Sequence, residues 1–215
     1  MSTHPVLVEV YRGQAVESQH RGSIAVVDAD GKIVLELGDI ETPIFPRSAV
    51  KSFQALPLVE SGIADRFGLT DEELALTISS HSGEPRHTET ALGILQKAGR
   101  DQTCLECGAH WPSDNVAERA LAAASQKPSA LHNNCSGKHS GFICLACGLD
   151  EDPKGYIKPD HRVQKEIRAA GEEMTGFRVR EEWTGTDGCS IPTYAVPLKN
   201  LAHGFAKLGT GAGLA

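Results

Sequence analysis

Hydrophobic and polar positions alternate at the start of the chain. Val6 to Val10 follows the two-residue period of a strand, Gly13 marks a turn, and Ala15 to Ser18 resumes the alternation. Ile24 to Asp28 and Ile33 to Leu37 are two further apolar runs, joined through Asp30-Gly31, a tight-hairpin signal. This opening predicts an antiparallel meander. The period then lengthens. Pro46, tolerated in a first helical turn, opens an apolar run from Ala49 to Leu56 that extends to about Gly62, with Pro57 as a kink or break. Thr70-Asp71-Glu72-Glu73 is a capping box before Leu74 to Ile78. Helices are also predicted over Arg86–Ala98, stopped by Gly99, and over Asp114–Ser125, capped by Ser113. Asp160 caps a helix reaching Met174, and Pro192 opens a last one to about Leu208. Gly209 to Ala215 is a tail of small residues with no closing strand.

Strands first and helices afterwards predict an α+β domain over residues 1–215, with helices packed on an antiparallel sheet. If the meander belongs to a larger sheet, its remaining strands are missing from this sequence. A chain of 215 residues can bury one sizeable core, or one core plus an appendage. A hydrophobic content of 40% and a charged content of 23% fit a soluble globular protein. The net charge of −7, without any Lys/Arg cluster, argues against a nucleic-acid surface. There is no apolar run of about 18 residues to span a membrane. Met1 to Pro5 lacks the basic and apolar regions of a signal peptide, so a cytoplasmic protein is expected. In that compartment the six cysteines read as thiols or metal ligands rather than disulfides.

Four polar stretches interrupt the apolar pattern: Arg47-Ser48 with Lys51, Ser79 to Ser82, Asn133 to His139, and Thr186 to Cys189. Each sets reactive residues among small ones, as functional loops do and as ordinary turns also do. Ser48 and Lys51 are three apart on one helical face. A serine hydroxyl needs a base beside it, and a lysine serves only when neutral. The positive helix end, Arg47 and burial all push Lys51 that way. A neutral lysine base implies activity rising towards alkaline pH. His81 and His139 read equally as structural histidines or as bases.

Cys104/Cys107 and Cys144/Cys147 look like halves of a zinc ribbon, but 36 residues separate Cys107 from Cys144, against the usual 15–20 or so. Cys144 and Cys147 lie in an apolar run, where cysteine behaves as a small hydrophobe. Cys104 and Cys107 retain a metal or redox reading. Cys135 and Cys189 each stand in a polar, Gly-containing loop and would supply soft ligands for zinc.

With these residues laid out, the chain resembles the rhizobial-type L-asparaginases, the asparaginase II family. The resemblance rests on Arg-Ser-Ala-Val-Lys-Ser at 47–52, Ser-Ser-His-Ser at 79–82, Asn-Cys-Ser-Gly-Lys-His at 134–139 and Thr-Asp-Gly-Cys at 186–189. It covers nearly the whole chain, in order. It implies a fold like the serine β-lactamases and β-lactamase-like glutaminases, and hydrolysis of L-asparagine to L-aspartate and ammonia. Ser48 and Lys51 match the family's first Ser-Lys pair, and Ser80 the serine of its second. Cys135, Lys138 and Cys189 match a Zn2+ site completed by water. Arg47, His139 and Asp187 match positions near the substrate, and the family forms homodimers. Its members are longer, with the second pair's lysine in their C-terminal portion. This chain is therefore expected to be an N-terminal part, lacking the rest of the sheet.

The expected chemistry is acyl transfer. Ser48 attacks the side-chain amide with Lys51 as base, and Ser80 relays protons or orients water, though either serine has the chemistry of a nucleophile. Asp187 holds the substrate ammonium and Arg47 its carboxylate. The rival expectations are a related glutaminase or β-lactam-directed acyl-serine enzyme, and a non-catalytic zinc-binding or interaction protein.

Overall fold

The computed structural model describes residues 4–213. The outermost residues of the Met1–Pro5 and Gly209–Ala215 segments lie outside that range. Five strands come first: β1 (Val6–Arg12), β2 (Ala15–Arg21), β3 (Ile24–Val27), β4 (Ile33–Leu37) and β5 (Pro43–Ile44). Then come α1 (Lys51–Glu60), α2 (Ile63–Arg66), α3 (Asp71–Thr77), α4 (Pro85–Lys97), α5 (Asn115–Ala123), α6 (Ser136–Gly148) and α7 (Arg162–Thr175). Short strands β6 (Thr184–Thr186), β7 (Pro192–Tyr194) and β8 (Val196–Pro197) lead into α8 (Leu198–Thr210). The class is α+β with antiparallel pairing. Among the described residues no helix is long and apolar enough to cross a membrane.

The chain divides into two compact units. One comprises residues up to Pro46, Glu172–Thr184 and Tyr194 onwards. In it β1 pairs with β2 and β3 with β4, each an antiparallel hairpin. Gly13 and Gly31 take the positive φ their turns require. The predicted meander is thus two separate hairpins, with no ladder between β2 and β3 among the described residues. Their apolar side chains, among them Val8, Tyr11, Val26, Val34 and Leu35, are exposed. β5 pairs antiparallel with β8, and α8 packs on β3. Pro192 therefore begins a strand rather than the last helix. That helix starts at Leu198, behind Pro197, whose extended backbone ends β8.

The other unit comprises Arg47–Gly171 and Gly185–Thr193. Helix α6 runs through its middle, packed by α1, α3 and α4. Leu58, Leu76, Ile94, Ile143, Leu145 and Val163 belong to one buried cluster around it. Gly137 lets α6 come so close to α3 that an added Cβ would stand 2.4 Å from the Leu76 carbonyl oxygen. The stretch Asn133–His139, read as a loop, is helical from Ser136 onwards. It hides from pattern analysis because α6 is buried on nearly every side, so no polar stripe marks the period.

Smaller differences have equally local causes. The capping box of α3 forms as expected: Glu73 N–H donates to Thr70 Oγ1 at 3.3 Å, and Thr70 N–H to Glu73 Oε2 at 2.7 Å. Asp114, not Ser113, caps α5, accepting from the N–H groups of Val116 and Ala117. Pro85 opens α4 one residue before Arg86. His161 rather than Asp160 receives the Val163 N–H at the start of α7. A 3-10 turn at Arg47–Val50, entered with Arg47 at φ +50°, precedes α1, so the serine stretch is not α-helical. Pro57 sits inside α1 without ending it.

Candidate active site

Lys51, the first residue of α1, is only 2% exposed. Its Nζ donates to the Ser79 carbonyl and, at 2.9 Å, to Ser80 Oγ. Ser79 and Ser80 follow Ile78, the residue that caps the C-terminus of α3, so two helix ends bring amine and hydroxyl together. Burial pulls the amine's pKa below its usual 10.5, with the Lys138 charge adding to this and the Cys135 sulfur opposing it. Ser48 stands exposed on the 3-10 turn. Side chains three apart on such a turn share a face. Among the described residues, however, no hydrogen bond joins Ser48 to Lys51.

A second cluster adjoins the first. Cys135 caps the N-terminus of α6, and Lys138, 3% exposed, lies on its first turn. Cys189 sits in the turn between β6 and β7, closed by Asp187 N–H to the Ile191 carbonyl at 2.8 Å. Lys138 Nζ donates to Cys189 Sγ at 3.2 Å. The two thiols also hydrogen-bond each other. That bond, helped by Lys138 and Lys51 against the effect of burial, lowers Cys135 to about 6 and raises Cys189. Among the described residues no group of three or more His, Cys, Asp and Glu side chains is arranged to hold a metal. The donors here are instead two thiols and an amine. Two sulfurs in mutual contact, one poised to ionise, with an amine on the other, fit a soft-ligand cation such as zinc.

Supporting residues fix these loops. Asn133 Nδ2 donates to the carbonyls of Cys107 and Gly108 at 2.9 and 3.1 Å, while its Oδ1 accepts Cys135 N–H at 2.9 Å. His110 Nε2 accepts Asn134 N–H at 2.8 Å. His81 Nδ1 accepts Gly83 N–H at 3.2 Å, so Nε2 carries the proton and donates to Ser136 Oγ at 2.8 Å. Burial above all holds His81 at about 4, which makes it a neutral clasp between the serine loop and α6. His139 is fully buried, and burial likewise lowers it to about 4. Arg47 and Asp187 form an ion pair at 2.8 Å, the arginine exposed and the aspartate largely covered.

Residues 8–215 match the family model described as L-asparaginase II. The chain belongs to the L-asparaginase II family. No curated protein matches it closely enough to name beside that family. Membership gives hydrolase chemistry of the asparaginase-like, amidohydrolase kind on a small-molecule substrate.

In this L-asparaginase II family member the nominated residues fall into three contacts: Lys51 with Ser80, Cys135 with Lys138 and Cys189, and Arg47 with Asp187. Ser48 is outside all three, and so is His139, whose Nδ1 stands 2.6 Å from the Tyr156 hydroxyl. Cys107 and Cys144 are core thiols, each pushed up to about 12 by burial. The supporting roles of Asn133, His110 and Tyr156 went unread in the sequence. Asn133 lay within a polar stretch, but nothing near His110 or Tyr156 in the sequence marks either as a partner of the site.

Proposed function

We propose that this protein hydrolyses L-asparagine to L-aspartate and ammonia through an acyl-serine intermediate. The contact between Lys51 Nζ and Ser80 Oγ carries the reading, since a nucleophile and its base must be within hydrogen-bond reach. It favours Ser80 over Ser48 as the attacking hydroxyl. A neutral Lys51 has two N–H groups, for the Ser79 carbonyl and Cys135, and one lone pair to accept the Ser80 proton. Ser80 Oγ attacks the amide carbon and its proton passes to Lys51. The C–N bond then breaks, Lys51 returns that proton to the departing nitrogen, and ammonia leaves an aspartyl ester on Ser80. Water attacks the ester, giving its proton to Lys51, which hands it back to Ser80 as aspartate departs.

The Arg47–Asp187 pair suits an α-amino acid, whose carboxylate and ammonium match the two charges in reverse. Cys135, Lys138 and Cys189 would hold Zn2+. When bound, the ion supplies positive charge that orders the loops of Cys135 and Cys189. On this reading its removal by chelation raises KM for asparagine more than it lowers kcat. A chelated enzyme with normal substrate binding and no turnover would refute that division. A cytoplasmic homodimer is part of the same reading.

The deciding experiment uses single turnover followed by peptide mapping of the acyl adduct. The adduct is expected on Ser80, with Ser80→Ala losing on the order of 10⁶ in kcat and Ser48→Ala far less. An adduct on Ser48 reverses the assignment, and one on neither serine ends the acyl-serine reading. Parallel assays with glutamine and a chromogenic β-lactam separate the related enzyme classes. Bound zinc with no turnover of any of the three favours a binding protein.

A further inference from the structure

Tyr156 lies outside every polar stretch of the sequence, yet it is fully buried, with its hydroxyl in a chain of polar contacts. The phenol oxygen accepts Glu106 N–H at 3.0 Å and stands 2.6 Å from His139 Nδ1. The two rings meet edge to face, centroids 5.5 Å apart. Gln164 Nε2 donates to the Tyr156 carbonyl at 2.9 Å, so the residue is held at both ends.

These contacts decide which imidazole nitrogen bears the proton. With N–H on Nδ1, that group would donate to a phenol oxygen already accepting from Glu106. The buried phenol proton would then have no acceptor among the described residues. With N–H on Nε2, the phenol donates to Nδ1 and both of its bonds are satisfied. The Nε2–H that results is buried and makes no hydrogen bond of good geometry with nitrogen, oxygen or sulfur. The sulfur it interacts with is that of Cys189, which already receives Lys138 Nζ.

We propose that Tyr156 is a positioning residue: its hydroxyl locks His139 with Nε2–H turned towards the Cys189 sulfur, where it steadies that sulfur as a metal ligand. His139 then serves the thiol rather than the substrate. Only the last step rests on the zinc reading above, since the tautomer is a property of the chain alone. Groups that orient a ligand from behind typically govern metal affinity by about 10–100-fold.

The test uses the whole protein labelled with 15N-histidine, with zinc chloride delivered against a competing chelator. His139 is expected as the neutral Nε2–H tautomer. Tyr156→Phe should mix the tautomers and weaken zinc binding by about 10–100-fold. His139→Gln, whose amide nitrogen replaces Nε2, should keep most of the affinity and make Tyr156→Phe silent, whereas His139→Asn should lose it. An Nδ1–H tautomer in the wild type, or no change in tautomer in Tyr156→Phe, overturns the proposal. If Tyr156→Phe does not fold, the Gln and Asn variants decide, and equal affinities refute it. A chain that shows the expected tautomers but binds no zinc sinks the zinc reading and leaves the Tyr156–His139 lock standing.

Discussion

Helix α6 carries thiols in opposite conditions at its start and in its interior. Cys135 at its N-terminus and Cys144 further along are both buried, 6% and 0% exposed. Burial, unopposed by any strong partner, lifts Cys144 to about 12. At Cys135 a bond with Cys189, together with two lysines, outweighs burial and brings the thiol to about 6. Burial disfavours charge, and a partner of matching chemistry reverses the sign. The same helix therefore has a chemical end and a packing interior.

The strongest challenge to this contrast is selective alkylation. In zinc-free protein, iodoacetamide should modify Cys135 at least about 100-fold faster than Cys144, because the thiolate is the reactive form. Mass spectrometry of tryptic peptides reads the ratio, and equal rates would erase the difference between the two thiols. A smaller effect is expected at the contact that seats the chemical end. Gly137→Ala places a methyl group against the Leu76 backbone and should cost about 1–3 kcal/mol in denaturant unfolding. An unchanged midpoint would mean α6 is free to shift.

The smallest effect isolates partners from burial. Asp39 is exposed, yet hydrogen bonds from the Thr42 hydroxyl, Thr42 N–H and Glu41 N–H lower its pKa from 3.8 to about 2. A carboxylate depressed in the folded state contributes stability above its unfolded pKa and loses it as pH falls through the folded one. The stability gap between wild type and Asp39→Asn should therefore narrow from pH 4 to pH 2. A gap that stays constant would show that these bonds do not favour the charged form.

Much of this was legible because local rules and tertiary structure agree. Asp30-Gly31 made its hairpin, and Thr70 with Glu73 made its box, since both signals act within a few residues. The site was legible as residue types, with Lys51, Ser80, Cys135, Lys138 and Cys189 all standing in polar stretches. Its connectivity was not. Lys51 meets a serine 29 positions away instead of one three positions away, and only the packing of α1 and α3 on the same helix, α6, decides that. Helix α6 was missed because a helix enclosed by protein shows no alternation of wet and dry faces. Tyr156 was missed because its value lies in a single oxygen, and its partners come from distant segments.

Asn133 leaves little room for variation. Its side-chain amide behaves as a spare peptide group, giving two protons to one stretch of main chain and taking one from another. Aspartate has the right shape but would turn negative oxygen towards two carbonyls, and leucine fills the space with no polarity at all. Glutamine has the right groups set one carbon too far out. A segment that carries reactive sulfur is thus moored by a side chain for which none of its nearest substitutes in size or polarity can stand in.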